Sequence, residues 1–184
     1  MRIFLLPFIF IVLLILNASS FASEVISPQL KEMTGLHNET RAVQGQSPLK
    51  WSDTLAAYAT QWVNHLAETQ NCKMIHRPNK ENSQFQQKYG ENLFWSSASK
   101  TEGGEISLLN FTAKDVFTAW VIEEDYYNYQ TNECEFEKDC GHYTQIVWHE
   151  TKEVGCGIAI CADKSQIWAC NYSPRGNYLG EWPY

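Results

Sequence analysis

Six cysteines, all between positions 72 and 170, are the feature that most restricts how this chain can fold. They follow an apolar N-terminal segment, and an even number of cysteines in an exported chain favours three disulfides. Spacing alone leaves fifteen pairings open. The rival interpretation, in which Cys156 and Cys161 bind a metal as thiolates, is weak in an oxidising compartment. We therefore expect a fold held by three crosslinks.

The N-terminus has the residue order of a signal peptide. Arg2 precedes an apolar run from Ile3 to Leu16, and small residues follow it up to Ala22. The apolar run is shorter than the roughly 20 residues that a membrane-spanning helix needs. We predict a leader over residues 1–22, cleavage after Ala22 and a secreted, extracellular protein. A retained signal anchor is the alternative, and Ser20 with Ala22 favours cleavage over it.

The charge of the chain argues against one class of partner. Removal of residues 1–22 leaves 13 basic and 21 acidic side chains, so the formal net charge changes from −7 to −8. Nucleic-acid binding depends on basic side chains that neutralise phosphates, so we expect no nucleic-acid partner. About 160 residues are enough for one domain with its own hydrophobic core, but too few for two domains of typical size. We expect one domain over residues 27–184, and a monomer.

Three segments carry apolar residues at the three- and four-residue spacing of a helix packed on a core. The predicted helices cover residues 28–43, residues 52 or 53 to about 68, and a segment that begins near Thr112. Ser27 and Pro28 supply an N-cap and a first-turn proline for the first helix.

Strand signals are concentrated late in the chain. The predicted strands cover residues 142–149, 155–161 and 166–172. In the first of them, His142, Thr144, Ile146 and Trp148 alternate onto one face. Residues 90–95 indicate a loop that leads into a short ordered segment. Helices first and strands late favour an α+β layered domain.

Two blocks in the last third of the chain carry a family resemblance. The first is Cys140-Gly141-His142-Tyr143-Thr144-Gln145-Ile146-Val147-Trp148, and the second, after Cys156 and Cys161, is Cys170-Asn171-Tyr172-Ser173-Pro174-Arg175-Gly176-Asn177-Tyr178. They closely resemble the signatures of the CAP superfamily, which contains cysteine-rich secretory proteins, insect venom antigen 5 allergens and plant pathogenesis-related 1 proteins. The chain looks most like the plant class.

This resemblance implies a fold and a disulfide pattern. The family fold is a three-layer α-β-α sandwich in which helices flank a small sheet. The implied pairs are Cys72 with Cys161, Cys134 with Cys140, and Cys156 with Cys170. Each disulfide is expected to stabilise the protein by roughly 2 to 4 kcal/mol, mainly through the unfolded chain.

Glu123 is unusual without reference to any family. It lies three residues after Trp120 and seven after Val116, on the inward face of the third predicted helix. A buried carboxylate without a partner costs several kcal/mol or becomes protonated. We therefore expect Glu123 to contact a histidine, a cation or a basic side chain. His142, two residues after Cys140, is the second candidate of this kind.

The resemblance implies that two histidines and two glutamates line a central cleft. The residues at the matching positions are His76, Glu91, Glu123 and His142. Imidazole and carboxylate groups suit zinc or a similar divalent ion, although no cofactor need be required. A hydrogen-bonded network of the same residues without metal is the alternative. His37, at a first-helix position of the family, is expected to pack and hydrogen-bond.

The functional prediction is binding, and enzyme activity is not expected. No serine or cysteine lies in a recognisable nucleophile motif, which leaves only metal-bound water with Glu91 or Glu123 as general base. Relatives are known to hold sterols and fatty acids. We predict that the protein binds a small apolar ligand of that kind, or a protein or membrane-surface partner. The predicted setting is defence, virulence or host interaction.

Exposed aromatics are the candidate ligand surface, and a C-terminal fragment is the alternative route to function. Phe94, Trp95, the run of residues 126–129 and Trp182 are candidates, with burial in the core as the competing interpretation. In plant relatives, cleavage within the Cys-Asn-Tyr-x motif releases a C-terminal peptide. Residues 174–184 fit that pattern, which predicts signalling or antimicrobial action; packing against the domain is the alternative.

Overall fold

A computed structural model describes the backbone of residues 19–184 and the side chains from residue 28 onward. The predicted leader lies largely outside these residues, so its cleavage stays a prediction. The helices are α1 (Ser19–Val43), α2 (Asp53–Thr69), α3 (Ala113–Val121) and α4 (Gly141–Val147). The strands are β1 (Lys50–Trp51), β2 (Gly90–Ser96), β3 (Ser99–Lys100), β4 (Ile106–Ser107), β5 (Tyr127–Asn128), β6 (Glu133–Cys134), β7 (Glu153–Ile160) and β8 (Gln166–Ser173). None of the helices described is long and apolar enough to cross a membrane.

The main sheet has four strands in the order β1-β7-β8-β2. Strands β7 and β8 form an antiparallel hairpin, β2 pairs antiparallel with β8, and the two-residue β1 pairs parallel with β7. The predicted strands at residues 155–161 and 166–172 are therefore confirmed to within two residues at either end. Two small ribbons, β3–β4 and β5–β6, lie outside this sheet.

Helices cover the sheet on both faces. The apolar side of α2, with Trp62, Val63 and Leu66 at helical spacing, packs on one face against Ile167 and Ala169. Helix α2 approaches closely because β7 presents glycines beneath it. Helices α1, α3 and α4 form the other layer, around a core that contains Met33, Trp120, Tyr143, Trp168 and Tyr172. The predicted three-layer α-β-α sandwich is confirmed.

The segment around His142 corrects one prediction. Residues 142–149 are expected to form a strand, but residues 141–147 form helix α4. Its buried residues Tyr143, Ile146 and Val147 follow helical spacing, so the apparent alternation was misleading.

Two boundaries also differ from the sequence prediction. Residues 90–95, expected as a loop that leads into a short ordered segment, all belong to strand β2, because they pair along their whole length with β8. Helix α1 begins at Ser19 and carries Pro28 inside it, so Ser27 is not its N-cap. The end of α1 at Val43 agrees with the prediction, as does the start of α3 after Thr112.

All three implied disulfides are present. Cys72 is bonded to Cys161, Cys134 to Cys140, and Cys156 to Cys170. The first joins the end of α2 to the end of β7, the second closes the loop before α4, and the third crosslinks the central hairpin. No cysteine is left free, so the thiolate-metal interpretation is wrong.

Candidate functional site

The carboxylate of Glu123 lies against the N-terminus of α4. It follows α3 in a short 3-10 turn and is 9% exposed. Its Oε1 is 2.5 Å from His142 Nδ1, while the backbone N–H groups of His142 and Tyr143 donate to Oε2 at 2.8 and 3.2 Å. The carboxylate therefore has two roles: it accepts hydrogen bonds from first-turn amides of α4, and it orients the imidazole of His142. The predicted partner of this buried acid is confirmed as a histidine.

A second pair joins the loop after α2 to strand β2. His76 Nδ1 is 2.8 Å from Glu91 Oε1, and the backbone N–H of Arg77 donates to the same oxygen at 3.1 Å. The Glu91 side chain is 1% exposed, whereas that of His76 is 61% exposed. Asn171 and the guanidinium of Arg77 lie 3.4 and 3.9 Å from Glu91 Oε2. A buried carboxylate thus fixes an outward imidazole.

Residues of β2 connect the two His–Glu pairs, but the four side chains do not form one cluster. Asn92, next to Glu91, donates to the backbone carbonyl of His142 at 3.1 Å. The Trp120 ring stacks on the His142 ring with centroids 6.0 Å apart, and its Nε1 donates to the Leu93 carbonyl. Within residues 19–184 there is no group of three or more histidine, cysteine or acidic side chains placed to hold a metal ion.

The hydrogen bonds decide which imidazole nitrogens remain usable. Each glutamate is bonded to Nδ1, so a neutral ring carries its proton there and leaves the Nε2 lone pair uncommitted. In the part of the chain described, neither Nε2 atom takes part in a hydrogen bond. Carboxylates that hold the other nitrogen are the usual outer partners of metal-bound histidines. The donor chemistry fits a divalent ion, but each pair supplies one nitrogen.

A buried polar chain runs behind this cleft. His37 in α1 is fully buried, with Nδ1 2.7 Å from the Met33 carbonyl and Nε2 2.9 Å from Tyr172 Oη. Asn92 donates to the same Tyr172 oxygen at 3.1 Å, which links His37 to His142. Burial lowers the pKa of His37 to about 4. The packing and hydrogen-bonding role predicted for His37 is confirmed.

The candidate aromatics divide between core and surface. Phe94 packs against Phe111 beside the core, whereas Trp95, Tyr129 and Trp182 are each nearly half exposed. Trp95 is at the end of β2, and three further exposed apolar residues lie in the segment between β2 and α3. We call this set the apolar end: Trp95, Ile106, Leu108 and Leu109, which are 37 to 53% exposed.

The apolar end is held together by pairing across the sheet. Ser96, next to Trp95, pairs with Gln166, whose side-chain amide donates to the Leu109 carbonyl at 2.6 Å. Ile106 belongs to the ribbon that follows β2. Ile106, Leu108 and Leu109 were not predicted as a surface from the sequence. The signal for them was the short apolar run at residues 106–109, in an otherwise polar stretch.

Comparison with known proteins decides the family. The model of the cysteine-rich secretory protein family, CAP, matches residues 34–172. The chain belongs to the CAP family. It is 36% identical over 169 residues to pathogenesis-related protein PR-1 of Medicago truncatula, covering 91% of this chain and 82% of that protein. It is 38% identical over 148 residues to pathogenesis-related protein 1C of Nicotiana tabacum, with 80% and 76% covered.

Solved structures of CAP proteins share the fold. BmVAL-1 superposes with a TM-score of 0.63 at 26% identity, covering 85% of this chain and 81% of that one. The crystal structure of NaASP2 with Zn²⁺ gives a TM-score of 0.60 at 20% identity, with 85% and 84% covered. At that identity the likeness extends to the fold alone.

Proposed function

We propose that this CAP protein is secreted and acts in defence by binding a small apolar ligand, a sterol or a fatty acid, at the apolar end. The pathogenesis-related relatives support the setting. The observation that carries the ligand class is the exposure of four large apolar side chains between the end of β2 and the start of α3. Grouped exposure of this kind marks binding surfaces, whereas single exposed apolar residues need no explanation.

The surroundings of the apolar end favour a lipid over a charged ligand. Lys100 is paired with Ile106, and Glu102 and Glu105 lie in the turn between them, so one basic and two acidic side chains leave a local formal charge of only −1. Covering a side chain of this size contributes roughly 1.5 to 3 kcal/mol when burial is complete. The four side chains are already about half covered, so each contributes roughly half of that amount.

Uptake of labelled cholesterol and labelled palmitate by the purified protein tests this proposal. We expect saturable binding at micromolar concentration, and at least tenfold weaker binding in a Trp95→Ser, Leu108→Ser double variant. Val43→Ser is the matched control, because Val43 is 80% exposed at the end of α1, away from the apolar end. Equal binding by the double variant, or none by the wild type, contradicts the proposal.

A second candidate function is weak binding of a divalent metal in the cleft. We propose His76 and His142 as the ligands through Nε2, with Glu91 and Glu123 as the carboxylates that orient them. The uncommitted Nε2 atoms support it. A bound zinc would supply Lewis acidity, with water in its remaining coordination positions. The separation of the four residues into two pairs makes high affinity unexpected.

Calorimetric titration with Zn²⁺ at pH 7 tests the cleft. Binding should be lost in His76→Ala and in His142→Ala, and Glu91→Gln should weaken it by about tenfold because the imidazole is no longer held by a charged partner. His149→Ala is the control, since His149 is an exposed histidine outside both pairs, with its Nδ1 3.3 Å from the Pro183 carbonyl. Unchanged binding in both His76→Ala and His142→Ala would show that the metal binds elsewhere.

A further inference from the structure

A cavity of about 340 Å³ lies between the disulfide loop before α4 and the C-terminal segment. Its size is within the range of small-molecule sites. We call it the C-terminal groove. Its walls come from β5, β6 and the disulfide loop, α4, and residues 177–183. None of His76, Glu91, Glu123 and His142 lines it, and neither does any residue of the apolar end.

Both walls of the C-terminal groove are fixed in place. Cys134 and Cys140, which are bonded to each other, line one wall. On the other wall, Asn177 donates to the Gly141 carbonyl at 2.8 Å and accepts from the Thr144 hydroxyl at 2.9 Å. The His149 N–H donates to the Pro183 carbonyl at 2.6 Å. A site built this way loses little conformational entropy when a ligand enters.

The polar groups of the C-terminal groove carry both signs of charge. Lys138, Asp139 and Glu181 line it and are exposed. Asp139 uses Oδ1 to accept from the Gly141 N–H at 3.0 Å, and its Oδ2 has no hydrogen bond in the described structure. The Lys138 ammonium lies 4.4 Å from the centre of the Tyr126 ring. The C-terminal groove therefore offers both hydrogen-bond donors and acceptors, and the net charge of these side chains is small.

Aromatic rings supply the apolar part of the C-terminal groove. Tyr178 is 42% exposed on its rim, and Tyr127 and Trp148 also line it. Trp148 is 1% exposed, and its Nε1–H is buried without a partner among the described residues. The ring centroids of Trp148 and Tyr178 are 6.1 Å apart. The Arg175 guanidinium lies 5.5 Å from the centre of the Tyr178 ring. A partly exposed ring thus lies beside an indole whose polar atom is unsatisfied.

We propose that the C-terminal groove binds a neutral oligosaccharide. An anionic ligand would meet the carboxylates of Asp139 and Glu181, and a cationic ligand would meet Lys138. A lipid chain would leave all three charged groups desolvated, which is unfavourable. A sugar has hydroxyls that donate to carboxylates and accept from an ammonium group, and an apolar C–H face that packs on a ring such as that of Tyr178.

Titration of the ¹⁵N-labelled protein with cellohexaose, laminarihexaose and chitohexaose tests this proposal. The indole resonance of Trp148 is the reporter, because its Nε1 lies in the residue beneath the C-terminal groove. We expect saturable movement of that resonance with at least one of the three, at roughly millimolar dissociation constant or tighter. A galacturonic acid hexamer should bind at least fivefold more weakly, because its carboxylates face those of the protein.

Sugar binding by single-residue variants tests whether the C-terminal groove, and not another part of the surface, is the binding site. Tyr178→Ala should weaken binding by about fivefold through loss of the ring face. Asp139→Asn should also weaken it, and it keeps an oxygen that can accept from Gly141, so the loop stays folded. Trp95→Ala, at an equally exposed ring in the apolar end, should change nothing. No saturable shift with any neutral hexamer, tighter binding of the acidic one, or wild-type affinity in both groove variants overturns the proposal.

Discussion

His37 is held by hydrogen bonds whose direction can be assigned atom by atom. The Met33 carbonyl can only accept, so Nδ1 carries the proton and Nε2 accepts from the Tyr172 hydroxyl. The Tyr172 oxygen accepts in turn from the Asn92 amide, which also donates to the His142 carbonyl. A proton on Nε2 would remove the acceptor on which this chain depends. His37 is therefore committed to the neutral state.

This commitment makes stability depend on pH. The unfolded chain binds a proton on His37 near pH 6.5, while the native state binds it only near the pKa of about 4. The unfolded state thus holds more protons in this window, and stability falls as the pH decreases from 6.5 to 4. The expected loss from this residue is about 3 kcal/mol, fully regained above pH 6.5. Urea unfolding at a series of pH values measures it.

The matched variant for this prediction is His37→Gln, which cannot titrate. It should be less stable than the wild type at pH 7, because the chain to Tyr172 is disturbed. The difference between the two proteins should shrink by about 3 kcal/mol on going to pH 4. A constant difference across the window would show that His37 does not control the acid response.

Glu123 shows how far the site could be predicted from single residues. Its place on the inward face of the predicted third helix, three residues after Trp120, predicts a buried acid with a partner, and the structure supplies His142. The two amides that it also accepts from could not be foreseen, because they belong to a helix that the sequence had assigned as a strand. The family resemblance alone placed His76 and Glu91 in the cleft, and their pairing with each other was not predicted.

Helix α4 explains why some elements escaped prediction. Seven residues are too few to separate helical from alternating spacing, and α4 is capped from outside by Glu123 and a disulfide loop. Helix α2, with seventeen residues and a continuous apolar face, was predicted to within one residue at each end. Strand β1 has two residues and exists through its pairing with β7. Local sequence determines long amphipathic elements, and tertiary contacts determine short ones.

The packing of α2 on β7 depends on a missing side chain. A Cβ atom at Gly157 would lie 2.6 Å from the backbone nitrogen of Thr60 in α2. Backbone cannot yield as a side-chain tip can, so Gly157→Ala must move the helix off the sheet. We expect a loss of about 3 kcal/mol in unfolding free energy, measured by urea denaturation.

Gly35 is the control for this substitution. It lies inside α1, and a Cβ atom there would have no atom within 4 Å among the described residues. Gly35→Ala should stabilise the protein by about 0.5 to 1 kcal/mol, because alanine loses less backbone entropy in a helix. If Gly157→Ala were as harmless as Gly35→Ala, close contact between α2 and the sheet would not be required.

At the scale of the whole molecule, the last eleven residues are bound to the domain. The Pro174 carbonyl accepts from the Thr151 hydroxyl at 2.9 Å, and the Gly176 N–H donates to the buried Gln145 at 3.0 Å. The Ser173 carbonyl accepts from the Lys152 N–H within the sheet edge. A protease needs several residues in extended form, so cutting here requires local opening. Sequence alone left both release and packing open, because these contacts come from residues 21 to 31 positions away.

Tryptic release of residues 176–184 measures this opening, because Arg175 is exposed and no cysteine follows it. Thr151→Val removes the hydroxyl at nearly constant volume, so the Pro174 carbonyl loses its donor and the Gln145 amide loses an acceptor, at about 1.4 kcal/mol in total. Release of the fragment, followed by mass spectrometry, should then be about tenfold faster than from the wild type. Cleavage at exposed Lys80, in the polar segment after α2, should keep its rate and serves as control. Equal release rates from the variant and the wild type would mean that the segment opens without breaking the Thr151 contact. Peptide release from the folded protein would then not depend on weakening this contact.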